Sequence, residues 1–271
     1  MWFGILNKEG RLLYDRHPKN HDSVLEKIIK EIKEKGIAVT HLDELFPGRN
    51  LLPELQSYTK KLAETAQIKK GKEFLMALWE TAGVLDLDNS LVKLSLQSRS
   101  LEVVNAYMEM FSKFRHASLN VTIPMPEGSL AIKSQRWHRD PEDKRMCKMF
   151  VYLNDIDEDA GPFIYIPKSH QGGKWREIFP QRPPVGYYPP DGAVEKVIPS
   201  AEIKVCTGRA GTVIFGDTSG LHKGGYAKSK ERYMFTATYS SKASLWQTYY
   251  ALPSAGQLTE LNLLARYAVT K

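Results

Sequence analysis

The rhythm of the apolar residues changes near residue 115, and that change limits the fold more than any other feature of the chain. Before it, residues 22–35, DSVLEKIIKEIKEK, put Val24, Leu25, Ile28, Ile29 and Ile32 on one helical stripe, with Asp22 or Ser23 placed to cap it. Gly36 ends this helix, and GIAVT at 36–40 reads as a short strand. Residues 53–82 read as helix-rich with a break near Gly71, and 100–115 as a further helix with Leu101, Val104, Tyr107, Met108 and Phe111 facing inward. After residue 115 the runs are short, β-branched and aromatic: ASLNVTIP (117–124), CKMFVYLN (147–154), GPFIYIP (161–167), GTVIFGD (211–217) and RYMFTATYS (232–240). Helices followed by strands predict an α+β unit, with helices packed on one sheet of a sandwich, barrel or jelly-roll core. We expect one domain over 1–271, mainly helical to 115, with the β core at 116–245 and a helix in the C-terminal 246–271.

Within the β core, residues 171–200 break the pattern. Their six prolines rule out a central strand, so this stretch reads as a long insertion, either a lid or a plain surface loop.

Composition narrows the setting. Two cysteines, Cys147 and Cys206, make no disulfide framework in a chain of 271 residues, so a reducing, cytoplasmic compartment is expected. The N-terminal apolar run is too short for a signal peptide, and no stretch is long and apolar enough for a membrane helix. The net charge of +7 favours an anionic partner, although clusters such as 60–72 also fit a solvated helical face. No zinc-finger spacing or arginine-rich arm points to nucleic acid.

Chemistry concentrates in QRWHRDPED (135–143). Two residues apart in extended chain, His138 and Asp140 project to the same side. A second imidazole would complete a two-histidine, one-carboxylate face with three open positions, the donor set of non-haem Fe(II) oxygenases. Among seven histidines, His222 is best placed: it follows the strand GTVIFGD and is bracketed by glycines. His17, His21 and His41 lie in the helical region or its turns, His116 reads as the end of a helix, and His170 as a loop hydrogen-bonder. Ten residues after His222, Arg232 opens a strand. Pointing inward it would need an anion, such as a dicarboxylate held by a bidentate pair; pointing outward it would simply meet solvent.

WHRD (137–140), LNDIDEDAGPFIYIPKSH (153–170), GTVIFGDTSGLHKGG (211–225) and Arg232 together resemble the phytanoyl-CoA dioxygenase-like family of Fe(II)/2-oxoglutarate-dependent oxygenases, over about residues 115–240. The resemblance implies a double-stranded β-helix, a cupin-like jelly roll. It implies iron held by His138, Asp140 and His222, and Arg232 gripping the distal carboxylate of 2-oxoglutarate. Asn120, Thr122 and Gln135 stand where such enzymes place further cosubstrate or substrate contacts. The implied cofactors are Fe(II), 2-oxoglutarate and O2, and the implied outcome is hydroxylation of an unactivated C–H bond with release of succinate and CO2. Asp140, where halogenating relatives carry Ala or Gly, fits hydroxylation. Arg139 stands where relatives often have a smaller polar residue. With Arg136 and Lys223 it suggests a small anionic substrate. Three alternatives stay open: a metal-containing cupin that acts as an isomerase or sugar binder without 2-oxoglutarate, a non-catalytic sandwich that binds an acidic polymer, and an oxygenase acting on nucleic acid. The cupin gives Arg232 no task, the sandwich predicts no bound iron, and the third keeps the oxygenase core with a different substrate.

Overall fold

A computed structural model describes residues 1–64, 67–69 and 71–270. Residues 65, 66 and 70, part of the basic cluster at 60–72, lie outside the described residues. Helix α1 (Lys8–Arg16) leads to α2 (Ser23–Lys35), whose first turn is capped by Asp22 accepting from Leu25 N. Gly36, at φ 75°, ends α2 in the left-handed region that glycine tolerates and turns the chain into β1 (Ile37–His41). Helices α3 (Leu42–Leu45) and α4 (Leu51–Ala63) follow, then β2 (Gln67–Lys69) and β3 (Lys72–Glu80).

The two strands correct the helical reading of 67–82. KEFLMALWE is a short apolar run that either structure can bury, and pairing with β4 decides it in favour of a strand. Helices α5 (Ser90–Ser95) and α6 (Ser98–Met108) come next. Glu109, at φ 56°, stops α6, and β4 (Lys113–Thr122) begins at once. His116 therefore sits inside a strand, not at the end of a helix.

The remaining strands are β5 (Met146–Tyr152), β6 (Phe163–Tyr165), β7 (Lys204–Cys206), β8 (Thr212–Gly216), β9 (His222–Gly224) and β10 (Arg232–Ser240). Short helix α7 (Ala193–Val197) lies in the 171–200 insertion, and α8 (Ala255–Thr259) and α9 (Leu263–Val269) close the chain. The major sheet has the order β1-β8-β5-β10-β4-β3-β2, and a minor sheet has the order β7-β6-β9; every pairing is antiparallel. This is the double-stranded β-helix arrangement, extended by strands from the N-terminal half.

Alternation along the strands builds two different faces. Phe114, Ala117, Leu119, Val121, Met149, Val151, Phe235, Ala237 and Tyr239 point to the helices and join Ile28, Ile32, Leu101 and Val104 in the main core. The opposite face meets the minor sheet, and a smaller apolar cluster of Ile37, Phe150, Tyr152, Phe163, Tyr165 and Ile214 fills part of the space between them. The same face also carries Ser118, Asn120, Thr122, Arg232, Thr238 and Lys148, a polar set that an ordinary core would exclude.

Candidate metal centre

His138 and His222 meet across an isolated antiparallel bridge, each backbone N–H donating to the other's carbonyl at 3.0 Å. Asp140 is tied to the same turn, its N–H donating to Thr218 O at 2.8 Å. Backbone pairing thus brings together residues that are far apart in sequence. His138 Nε2 lies 3.7 Å from Asp140 Oδ1, and His222 Nε2 lies 3.7 Å from Asp140 Oδ2. One donor atom from each residue falls within 4.8 Å of the others, the only such cluster among the described residues.

The far side of each ring fixes which nitrogen faces inward. His138 Nδ1 is 2.8 Å from Arg136 O, and His222 Nδ1 is 3.0 Å from Gly220 O. A carbonyl only accepts, so each Nδ1 carries the hydrogen and each Nε2 turns a lone pair toward Asp140. Burial, followed by the facing His138 ring, pulls His222 down to about 3; burial pulls His138 down as well. Both imidazoles are therefore neutral near pH 7. Burial alone would raise Asp140, but Lys148 and then the two histidines outweigh it and hold the carboxyl well below its usual range. The geometry provides two neutral imidazole donors and one carboxylate, oriented from behind in the way a divalent metal requires.

Lys148 was not anticipated. It projects from β5 onto the inner face and donates to Asp140 Oδ2 at 2.6 Å. The signal in the sequence was a lone lysine within the apolar strand CKMFVYLN. Tyr188, from the insertion, lies with its ring centroid 5.6 Å from that of His138. Glu142 is pushed up to about 7 by burial and then by Asp140.

Arg232 points inward at 3% exposure. Its guanidinium donates to Thr122 Oγ1 at 3.0 Å and to Gly161 O, while its buried Nε meets no partner. Burial pulls its pKa down, and no carboxylate among the described residues faces it. A Cβ placed on Gly224, two residues beyond His222, would lie 3.6 Å from Arg232 Nη2, so the arginine and the histidine share one wall. Two further residues singled out in the sequence have orphaned buried atoms: Asn120 Oδ1 and Gln135 Nε2. Such atoms cost free energy unless a ligand or water completes them.

Arg139 does not face the cluster. It is 5% exposed, and its guanidinium is spent on the backbone carbonyls of Phe179, Ser169, Ser219, Trp175, Arg176 and Ile178. It pins the start of the 171–200 insertion against the cluster. Arg136 pairs with Asp191 at 3.1 Å and Lys223 with Glu195 at 3.5 Å. The three cations that suggested an anionic substrate are thus engaged within the fold.

Residues 102–233 match the family model described as phytanoyl-CoA dioxygenase (PhyH). The match spans just under half of the chain and is consistent with the phytanoyl-CoA dioxygenase-like family. Solved structures with related folds include the epimerase SnoN in complex with Fe3+, alpha ketoglutarate and nogalamycin RO, at 14% identity and TM-score 0.59, covering 84% of this chain and 87% of that one. The non-heme alpha ketoglutarate dependent carbocyclase SnoK from nogalamycin biosynthesis aligns at 13% identity and TM-score 0.57, covering 90% and 92%. EctD from S. alaskensis, with 2-oxoglutarate and 5-hydroxyectoine, aligns at 18% identity and TM-score 0.55, covering 79% and 74%. No curated protein sequence matches the chain. Identities this low establish the shared fold alone, and one fold can host more than one reaction. No described helix is long and apolar enough to cross a membrane.

Proposed function

We propose that the chain is a non-haem Fe(II)- and 2-oxoglutarate-dependent oxygenase that hydroxylates an unactivated C–H bond of a small molecule. The observation that carries this reading is the pairing of two features on one inner wall: the His138–Asp140–His222 cluster and the carboxylate-free, buried guanidinium of Arg232. His138 Nε2, His222 Nε2 and one Asp140 oxygen would hold the iron. Arg232, with Thr122 beside it, would hold the distal carboxylate of 2-oxoglutarate. Bound there with O2, these cofactors supply the oxidising chemistry, with succinate and CO2 as co-products.

The chain's own residues supply orientation and exclusion of water. The carbonyls of Arg136 and Gly220 hold both imidazoles in the productive tautomer. Lys148 keeps Asp140 ionised and fixes its rotation. Asn120 Oδ1 and Gln135 Nε2 are offered as further contacts to cosubstrate or substrate. Asp140 supports hydroxylation over halogenation. The epimerase and carbocyclase among the structural relatives make the outcome of oxidation a matter for product analysis. A cupin without 2-oxoglutarate would leave Arg232 a buried charge with nothing to balance, which disfavours that reading.

The test is turnover of 2-oxoglutarate. His222→Ala should abolish iron-dependent succinate formation, whereas Arg232→Ala should raise the 2-oxoglutarate KM by at least about tenfold, the loss of one charge-assisted hydrogen bond. Unchanged succinate yield in the first variant, or an unchanged KM in the second, rejects the corresponding assignment.

A further inference from the structure

Two cavities lie side by side at the end of β10 opposite Arg232. The inner one, about 450 Å³, is lined by Lys148, Thr238, Glu142 and His116. Through the Lys148–Asp140 contact it borders the metal cluster. The outer one, about 710 Å³, contains Lys113, Arg115 and Lys242 in its wall and, among the described residues, no carboxylate. Arg115, Ser244, Trp246 and Gln247 belong to both walls. A bulge in the β4–β10 ladder makes this sharing possible: Thr238 pairs with His116 and Tyr239 with Phe114, which leaves Arg115 as the extra residue. Bulges re-aim side chains in this way, and both Arg115 and His116 reach the inner cavity.

Two of the three cations of the outer cavity, Lys113 and Arg115, differ from the ion-paired cations of this protein. Lys35, Arg99, Arg136, Arg145 and Lys148 each contact a carboxylate. Lys113, at 3% exposure, has only neutral partners among the described residues: its Nζ donates to Tyr267 O at 2.7 Å and lies 3.5 Å from the centroid of the Tyr267 ring. Arg115 donates from Nε to Ser240 Oγ at 2.8 Å and from Nη2 to Ser241 O at 2.5 Å, again neutral acceptors. Burial brings Lys113 down to about 8 and lowers Arg115 as well, with Glu9 and Asp143 acting on them only at a distance. Lys242 is exposed and pairs with Glu9 at 3.0 Å. One buried and one half-buried cation, held by neutral groups among the described residues at the edge of open space, make a site that an anion would complete.

We propose that the outer cavity binds a phosphate or carboxylate at one end of the molecule oxidised beside Asp140, with Trp246 and Tyr249 flanking its middle. This rests on the oxygenase reading for the inner end only. The anion site itself requires neither iron nor 2-oxoglutarate. It restores an anionic substrate on different residues from those that first suggested one.

The experiment is titration of the full chain, free of metal and 2-oxoglutarate, with inorganic phosphate and with hexyl phosphate, followed by calorimetry. Inorganic phosphate should bind saturably to one site. Arg115→Gln and Lys113→Met should each weaken it at least tenfold, and Arg115→Lys should recover most of the loss. Thermal melts by circular dichroism identify any variant that has unfolded; if Lys113→Met unfolds, Lys242→Gln replaces it, with a smaller loss expected. Absence of saturable binding to the unaltered chain, or equal binding by a folded Arg115→Gln, overturns the site. Hexyl phosphate should bind more tightly than inorganic phosphate, and Trp246→Ala should erase that gain. A gain of zero, or one untouched by Trp246→Ala, marks a site for free phosphate and overturns the substrate assignment. His222→Ala should bind both probes normally, so failure of the iron reading and failure of the anion site remain distinguishable.

Discussion

The two faces of the seven-stranded sheet are made by alternate residues of the same strands, yet they are built of opposite material. On β4, Ala117, Leu119 and Val121 enter the helix-covered core, while Ser118, Asn120 and Thr122 line the inner space. On β10, Phe235, Ala237 and Tyr239 take the first role, and Arg232, Thr236 and Thr238 the second. The outer face is saturated with apolar contacts. The inner face holds Asn120 Oδ1 and Arg232 Nε, buried and without partners. The difference teaches that stability and chemistry are assigned by strand parity. Adjacent residues should therefore fail in different ways when changed.

The largest expected effect tests that division directly. His222→Ala should reduce iron-dependent succinate release to background while shifting the denaturation midpoint little, because it removes a polar ring that lies outside the main apolar core. Leu119→Ala, on the outer face, should do the reverse, costing about 2–5 kcal/mol of stability by denaturant titration with KM for 2-oxoglutarate unchanged. A loss of stability of that size from His222→Ala would break the comparison. Lys148→Met comes next. It leaves Asp140 buried without its counter-ion, so metal affinity should fall about 10–100-fold, as for loss of a group that orients a ligand from behind. Equilibrium metal binding checks it, and unchanged affinity would reduce Lys148 to a bystander.

The smallest effect concerns pH at the outer cavity. Lys113 titrates at about 8, so it is charged below that pH and neutral above it. Phosphate affinity should therefore fall as pH rises from 7 to 9, by up to about tenfold for one lost charge-assisted contact. Arg115 and Lys242 also line this site, Glu9 pairs with Lys242 outside its wall, and Tyr267, pushed up to about 12 by burial and then Glu9, stays neutral over the range. A flat profile between pH 7 and 9 would remove Lys113 from the site.

Much of this was legible in the sequence because it depends on short-range signals. Strand runs with turn punctuation gave the β core, and H-x-D in extended chain gave a shared side for His138 and Asp140. The order of strands around Gly220–Gly224 pointed to His222, which the structure brings to the first pair. What escaped depended on partners supplied by the fold. KEFLMALWE is a strand only because β4 offers it an edge. Arg139 looked like a recognition residue, but the insertion folds back and supplies it with backbone carbonyls. Lys148, Lys113 and Arg115 were single basic residues in strands. Only the register shows that the first meets Asp140 and that the other two border a cavity without a carboxylate.

The central claim is that His138, Asp140 and His222 bind iron in the same space that receives 2-oxoglutarate at Arg232. Anaerobic addition of Fe(II) and then 2-oxoglutarate, followed by visible absorption, tests it most directly, since the keto acid chelates iron only if both are bound together. The account predicts a charge-transfer band that saturates at one iron per chain and is lost in His222→Ala. A band of equal intensity in His222→Ala, or none in the unaltered chain, would contradict it.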